Sequence, residues 1–201
     1  ECISVPADVA TSDGRAELVK TLGDTEPSLH ILVNNAGTTW AADYADYPEA
    51  GFQKVATLNL HAVFFLTRDL TSMLELAGHT DDPARVINIG SMDGVRVPTI
   101  LPGGTYAYSA SKAAVHHLTR TLAVELAPRN ITVNAVAPGY FESKMTATVI
   151  RKHRDAMEAR CPLGRIGQPE EMAGIAIYLA SRAGAYTNGA VIPVDGGTGV
   201  S

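Results

Sequence analysis

Short runs rich in β-branched and aliphatic residues recur along the chain: CISVPADV, HILVNNAG, ARVINIGS, ITVNAVAPG and AVIPVDGG. They are largely continuous in apolar character, which suits strands buried on both faces. Between them the residue spacing predicts helices over residues 11–22, 49–76 and 106–127, and another from Pro169 through PEEMAGIAIYLAS. A Thr/Ser/Asp cluster caps the first, and Asp8 is an alternative cap for it. Leu58, Ala62, Phe65 and Leu66 carry the helical spacing of the second, and Pro128 and Asn130 close the third. Residues 95–104 form an irregular Gly/Pro-rich loop, and 140–168 a polar, mobile-looking stretch. Strands alternating with helices in this way require a parallel sheet covered on both faces, an α/β doubly wound, three-layer fold. Ligands of such sheets sit at the carboxyl ends of the strands. Small and polar residues collect there: Asn34, Asn35, Ala36 and Gly37 after one strand, Ser91 after another, Pro138 and Gly139 after a third.

With 201 residues, 46% hydrophobic and 18% charged, the chain suits one domain over residues 1–201 with a sizeable core. A net charge of -5 with scattered Lys and Arg disfavours nucleic acid and anionic membrane as partners. No apolar run approaches the roughly 18 residues of a membrane span. Cys2 and Cys161 form neither a disulfide framework nor a zinc spacing, so a reduced, cytoplasmic protein without a metal is expected. His116 and His117 are adjacent and point apart on a helix, which reads as structural rather than metal-binding.

Tyr108 and Lys112, four apart in TYAYSASKAAVHHL, share a helix face. An ammonium beside a phenol lowers its pKa, and such a tyrosine exchanges a proton with a carbonyl or alcohol oxygen. With 7 tyrosines in the chain, the spacing alone leaves chance open. Ser91 is placed to hydrogen-bond a substrate oxygen, although a lone serine is more commonly a cap. Asn59, inside the apolar TLNLHAVFFL, must find partners when buried: a backbone carbonyl or an ordered water. Gly37 and its small neighbours permit close approach of a ligand, or simply form a turn.

In their order, NNAG, Asn59, Ser91, Tyr-x-x-x-Lys and Pro138-Gly139 resemble the short-chain dehydrogenase/reductase family over nearly the whole chain. The resemblance implies a Rossmann-like fold and a catalytic tetrad of Asn59, Ser91, Tyr108 and Lys112. It implies cofactor contacts from Asp8, Val9, Asn35, Ala36, Gly37, Tyr108, Lys112, Pro138, Gly139, Phe141 and Ser143. The implied reaction is reduction of a 3-oxoacyl group or hydrophobic ketone by NAD(P)H, with NADP(H) favoured over NAD(H) and the selecting residue outside this chain. Ser91 would polarise the carbonyl, Tyr108 donate the proton, Lys112 lower the tyrosine pKa and bind ribose hydroxyls, and Asn59 hold a relay water.

The stretch between Ser91 and Tyr108 is longer than in many family members, and it most resembles the 3-oxoacyl reductase branch linked to rhamnolipid synthesis. The family's glycine-rich turn and first βαβ portion are not in this sequence, which opens on CISVPADV. The expectation is an N-terminally incomplete chain whose sheet has an exposed edge beside HILVNN. Met92, Val95, Val97, Ile100, Leu101, Phe141, Met145 and Val149 are expected to flank an apolar substrate pocket. Arg151, Lys152 and Arg154 are candidate contacts for an acyl carrier protein or a solvated face. Arg129 matches a carrier-contact arginine of relatives, whereas Asp82 departs from the other such position. A homotetramer or homodimer is implied, through the Tyr108 helix and PEEMAGIAIYLAS. Two other readings are a non-catalytic binding protein or inactive fragment of the same fold, and an epimerase or dehydratase of the extended branch.

Overall fold

A computed structural model describes residues 2–98 and 103–200. Four parallel strands form one sheet in the order β1 (Ile31–Asn34), β2 (Ala84–Ile89), β3 (Ile131–Pro138) and β4 (Val191–Val194). Parallel neighbours need crossover connections, and helices supply them. The helix α1 (Ser12–Thr25) precedes β1; α2 (Glu49–Ala56) and α3 (Ala62–Ala77) join β1 to β2. A single long helix, α4 (Tyr106–Leu126), lies between β2 and β3, and α5 (Ala147–Arg160) and α6 (Pro169–Ala180) lie between β3 and β4.

Alternate strand residues face opposite sides, so each face has its own core. On one side Leu32, Val86 and Val133 pack with Leu66, Leu70 and Leu74 of α3 and Leu122 and Leu126 of α4. On the other, Ile87 and Val136 pack with Leu179 of α6. Thr11 is the cap of α1, its hydroxyl accepting from Gly14 N–H at 3.0 Å. Asp8 instead turns its carboxylate onto Ala10 N–H. The break before α6 is set by Pro169 in the first turn and by a reciprocal cap between Gln168 and Glu171.

Three expectations change. CISVPADV is not a strand: residues 2–8 have no regular structure and Ile3 is exposed. A strand exists by pairing, and β-branched composition without a neighbouring edge does not make one. Among the described residues β1 pairs only with β2, which leaves the expected open edge, with Ile31 and Val33 40% and 47% exposed. The helix expected over 49–76 is interrupted by a π-turn, Thr57–His61, centred on Asn59. The stretch 140–168 contains α5, whose Ile150 and Met157 bury against Ile166; its apolar positions are too few to announce a helix in the sequence.

Candidate active site

Because the strands are parallel, the segments leaving β1, β2 and β3 emerge along one margin of the sheet. Gly90 N–H donates to Val136 O at 2.7 Å and ties the exit of β2 to β3. Ser91 then opens a short 3-10 turn, Met92–Gly94, and its hydroxyl accepts from Asp93 N–H at 3.1 Å. The common capping role of a serine is therefore filled, and the same hydroxyl lies near enough to the Tyr108 phenol to act on its pKa.

Tyr108 and Lys112 sit one turn apart on α4, and the Lys112 Nζ lies 5.7 Å from the centre of the Tyr108 ring. The ammonium donates to Ile89 O at 2.6 Å and is only 5% exposed. Burial lowers its pKa to about 8. The lowered phenol pKa expected of Tyr108 is corrected here. Burial pushes the phenol up, the Ser91 hydroxyl pulls it down by less, and the Asp93 charge pushes it up further. The physical reason is geometric: Lys112 lies over the ring and spends its charge on Ile89 O, while the phenol itself is desolvated.

Asn59 is buried and its amide is engaged. Its Oδ1 accepts from Thr38 N–H at 2.8 Å, and its Nδ2 donates to Thr38 O at 2.9 Å and to Ser111 Oγ at 3.2 Å. Both amide donors are used, so a water at this residue would be left the second lone pair of Oδ1 or the backbone. The pair of bonds to Thr38 fixes the turn after β1. A Cβ on Gly37 would stand 3.5 Å from Asn59 Oδ1 and 3.8 Å from Lys112 Nζ, so the NNAG turn abuts the lysine. Asn35 and Ala36 are exposed on that turn.

After β3, Gly139 N–H donates to Val194 O at 2.9 Å, and a Cβ there would stand 2.7 Å from Asp195 Cα. Only glycine allows that approach. Phe141 bridges to Gly167, and Ser143 shares its hydroxyl with Thr146 at 2.9 Å. Asp8 and Val9 lie at the turn into α1, where Val9 O accepts from Arg15 at 3.0 Å. Among the described residues they share no hydrogen bond with Ser91, Tyr108 or Lys112.

The single apolar pocket is also corrected. Val95 and Val97 line a cavity of about 720 Å³ together with Asp93, Arg96, Tyr106 and Ser109. Phe141 lines a separate cavity of about 490 Å³ with Tyr140, Met157 and Cys161. Met92 is buried, Met145 is exposed, Val149 packs beside Ile150, and Ile100 and Leu101 lie outside the described residues. Arg154 pairs with Glu142 and Glu158, and Arg129 with Glu75. Tyr106 stacks edge-on against Tyr44 and Tyr47, with centroids 5.8 and 5.4 Å away.

Sequence reasoning missed a buried ladder beneath the site. Asn34 Nδ2 donates to Thr67 Oγ1 and to Asn88 Oδ1, and Asn88 Nδ2 donates to Thr119 Oγ1, all within 3.1 Å. The available signal was an asparagine in the middle of the apolar run RVINI, which burial obliges to find partners.

Comparison with known proteins decides the family. The model for a family described as enoyl-(acyl carrier protein) reductase matches residues 1–199. A rhamnolipids biosynthesis 3-oxoacyl-(acyl-carrier-protein) reductase of Pseudomonas aeruginosa is 45% identical, over 98% of this chain and 77% of its own length. The chain belongs to the short-chain dehydrogenase/reductase family. As a short-chain dehydrogenase/reductase it is an NAD(P)-dependent oxidoreductase acting on CH–OH groups. A 2-dehydro-3-deoxy-D-gluconate 5-dehydrogenase of Dickeya dadantii is 38% identical, over 97% of this chain and 75% of its own. In structure the chain is similar to the Pseudomonas aeruginosa RhlG/NADP active-site complex, with a TM-score of 0.92 and 45% identity, covering 98% of this chain and 76% of that one. Among the described residues no helix is long and apolar enough to cross a membrane.

Proposed function

We propose that this short-chain dehydrogenase/reductase reduces a carbonyl, of the 3-oxoacyl class, to a secondary alcohol with NADPH. The observation that supports it most is the convergence of the Ser91 hydroxyl, the Tyr108 phenol and the buried Lys112 ammonium behind the carboxyl end of β2. The residues fit a nicotinamide nucleotide. Lys112 has three N–H donors and uses one, on Ile89 O, which leaves two for ribose hydroxyls. Gly37 abuts Lys112, and Asn35, Ala36, Pro138, Gly139, Asp8, Val9, Phe141 and Ser143 are the other proposed contacts. The cofactor, when bound, supplies the hydride. NADP(H) is preferred over NAD(H) because the similar solved complex contains NADP.

The chain's own residues handle the proton. The Ser91 hydroxyl donates to the substrate oxygen and polarises it, and the Tyr108 phenol transfers its proton to that oxygen. A phenol raised by burial stays protonated through neutral pH, which suits the reducing direction over the oxidising one. Lys112 holds the charge near Tyr108, and Asn59 holds the Thr38 turn in place. We assign the chain to a single domain and a homo-oligomer in the cytoplasm, with the acyl group delivered free or on a carrier protein.

A second substrate reading is favoured by one observation. Asp93 Oδ1, Arg96 Nε and Ser109 Oγ are buried without hydrogen-bond partners among the described residues, and all three residues line the 720 Å³ cavity. Unpaired buried donors and acceptors call for partners, and a hydroxylated keto acid supplies both kinds. Parallel assays of NADPH oxidation with a 3-oxoacyl thioester and with a keto-sugar acid separate the two. Turnover of the thioester at least about tenfold faster supports the first reading; the reverse selects the second. Turnover of neither, with no nucleotide binding, would overturn both and leave a non-catalytic binding protein.

A further inference from the structure

Behind the Ser91 turn lies an imidazole with no part in the chemistry above. His116, one turn beyond Lys112 on α4, is only 4% exposed. Ser91 N–H donates to its Nε2 over a long 3.4 Å. The ring also packs on the backbone of Gly94, so it spans the turn from first residue to last. Glycines flank it on both sides. A Cβ at Gly90 would stand 2.1 Å from Nε2, and one at Gly94 would stand 2.8 Å from Cε1. The imidazole therefore packs directly on the backbone before and after the serine.

An Nε2 that accepts must be bare, so the neutral ring carries its proton on Nδ1, toward Gly94. Burial holds the imidazole pKa down, the Gly94 backbone raises it, and the charges of Lys112 and Arg120 lower it. Asp93 is the charged residue of the facing turn, and Val136 of β3 brings no charge. A protonated ring would set one donor against another and push the Ser91 backbone away.

We propose that His116 is a positioning residue for Ser91: its neutral Nε2 holds the serine backbone and so aims the hydroxyl at Tyr108 and the substrate oxygen. This rests on the role given to Ser91 under the proposed function. A displacement of about 1 Å at such a group costs roughly 100-fold in turnover.

The test is a mutant cycle in the full-length enzyme: Ser91→Ala, His116→Leu, the double variant, and His116→Gln, which restores an acceptor. Readouts are kcat, KM for ketone and for NADPH, and the melting temperature. His116→Leu is expected to lower kcat about 100-fold with KM for NADPH within about twofold, and to add less than about twofold once Ser91 is alanine. His116→Gln should recover at least about tenfold. Full kcat in His116→Leu while Ser91→Ala is inactive would overturn the proposal and leave the proposed function intact. An independent further loss in the double variant, or a Gln variant no better than Leu, would also overturn it. Full activity of Ser91→Ala would sink the role of Ser91 and this proposal with it. If His116→Leu does not fold, nitrogen-15 NMR of the unmodified protein decides: a neutral ring protonated at Nδ1 at pH 7 supports the proposal, and one protonated at Nε2 contradicts it.

Discussion

At the centre of the sheet β2 and β3 have neighbours on both edges and helices over both faces, and the amides of Asn88 and Asn134 are hydrogen-bonded. At the β1 margin Ile31 and Val33 are 40% and 47% exposed, and the apolar run before α1 pairs with nothing among the described residues. The same kind of sequence, β-branched and aliphatic, lies in both places. What differs is the partner. A buried neighbour turns the run into a strand with one register; an open margin leaves it extended and unpaired. The proposed chemistry sits with the closed region, where burial perturbs Lys112 and Tyr108 and packing holds them still.

The contrast is broken most forcefully at Lys112. Lys112→Met should lower turnover roughly 1,000-fold, yet raise the melting temperature by about 2–4 °C, because a desolvated charge is removed from the core. A melting temperature that falls would mean the buried charge is stabilising. The unmodified enzyme should lose reductive activity as pH rises through about 8, where Lys112 gives up its proton. Stability should change in the opposite sense. The folded pKa lies below the unfolded one, so from about 8 up to the ordinary lysine value the unfolded chain holds more protons and stability rises with pH. A pH–rate profile and a pH series of denaturant melts check the two signs.

A smaller effect is expected from the polar ladder beneath the site. Asn88→Leu leaves Asn34 Nδ2 and Thr119 Oγ1 without that partner, and should cost about 2–3 kcal/mol by urea melt. The smallest effect belongs to the margin. Val33→Thr should change stability by no more than about 0.5 kcal/mol and reduce self-association in light scattering. A loss there as large as that at Asn88 would show that the margin is covered in solution, and the contrast would fail.

Much of this was legible in the sequence because it depends on local pattern. Pro169 and Thr11 mark helix starts by their own chemistry, and the four-residue spacing of Tyr108 and Lys112 puts them on one face of α4. What was not legible depends on contacts between distant segments. Asn59 meets Thr38 and Ser111, and His116 meets Ser91, through partners that no spacing rule links. The direction of the Tyr108 shift was hidden for the same reason: the spacing brings Lys112 near, while the burial that wins comes from the whole fold. CISVPADV has the composition of a strand, but pairing is a property of its surroundings, and it finds none among the described residues.

The central claim is that Tyr108, and not its neighbour Tyr106, supplies the proton. Tyr108→Phe and Tyr106→Phe should be compared for NADPH-dependent ketone reduction, with melting temperatures as a control on folding. The account predicts a loss of about 1,000-fold or more for Tyr108→Phe and less than about twofold for Tyr106→Phe, both folded. Equal losses, or a Tyr108→Phe enzyme that still turns over at the unmodified rate, would contradict it.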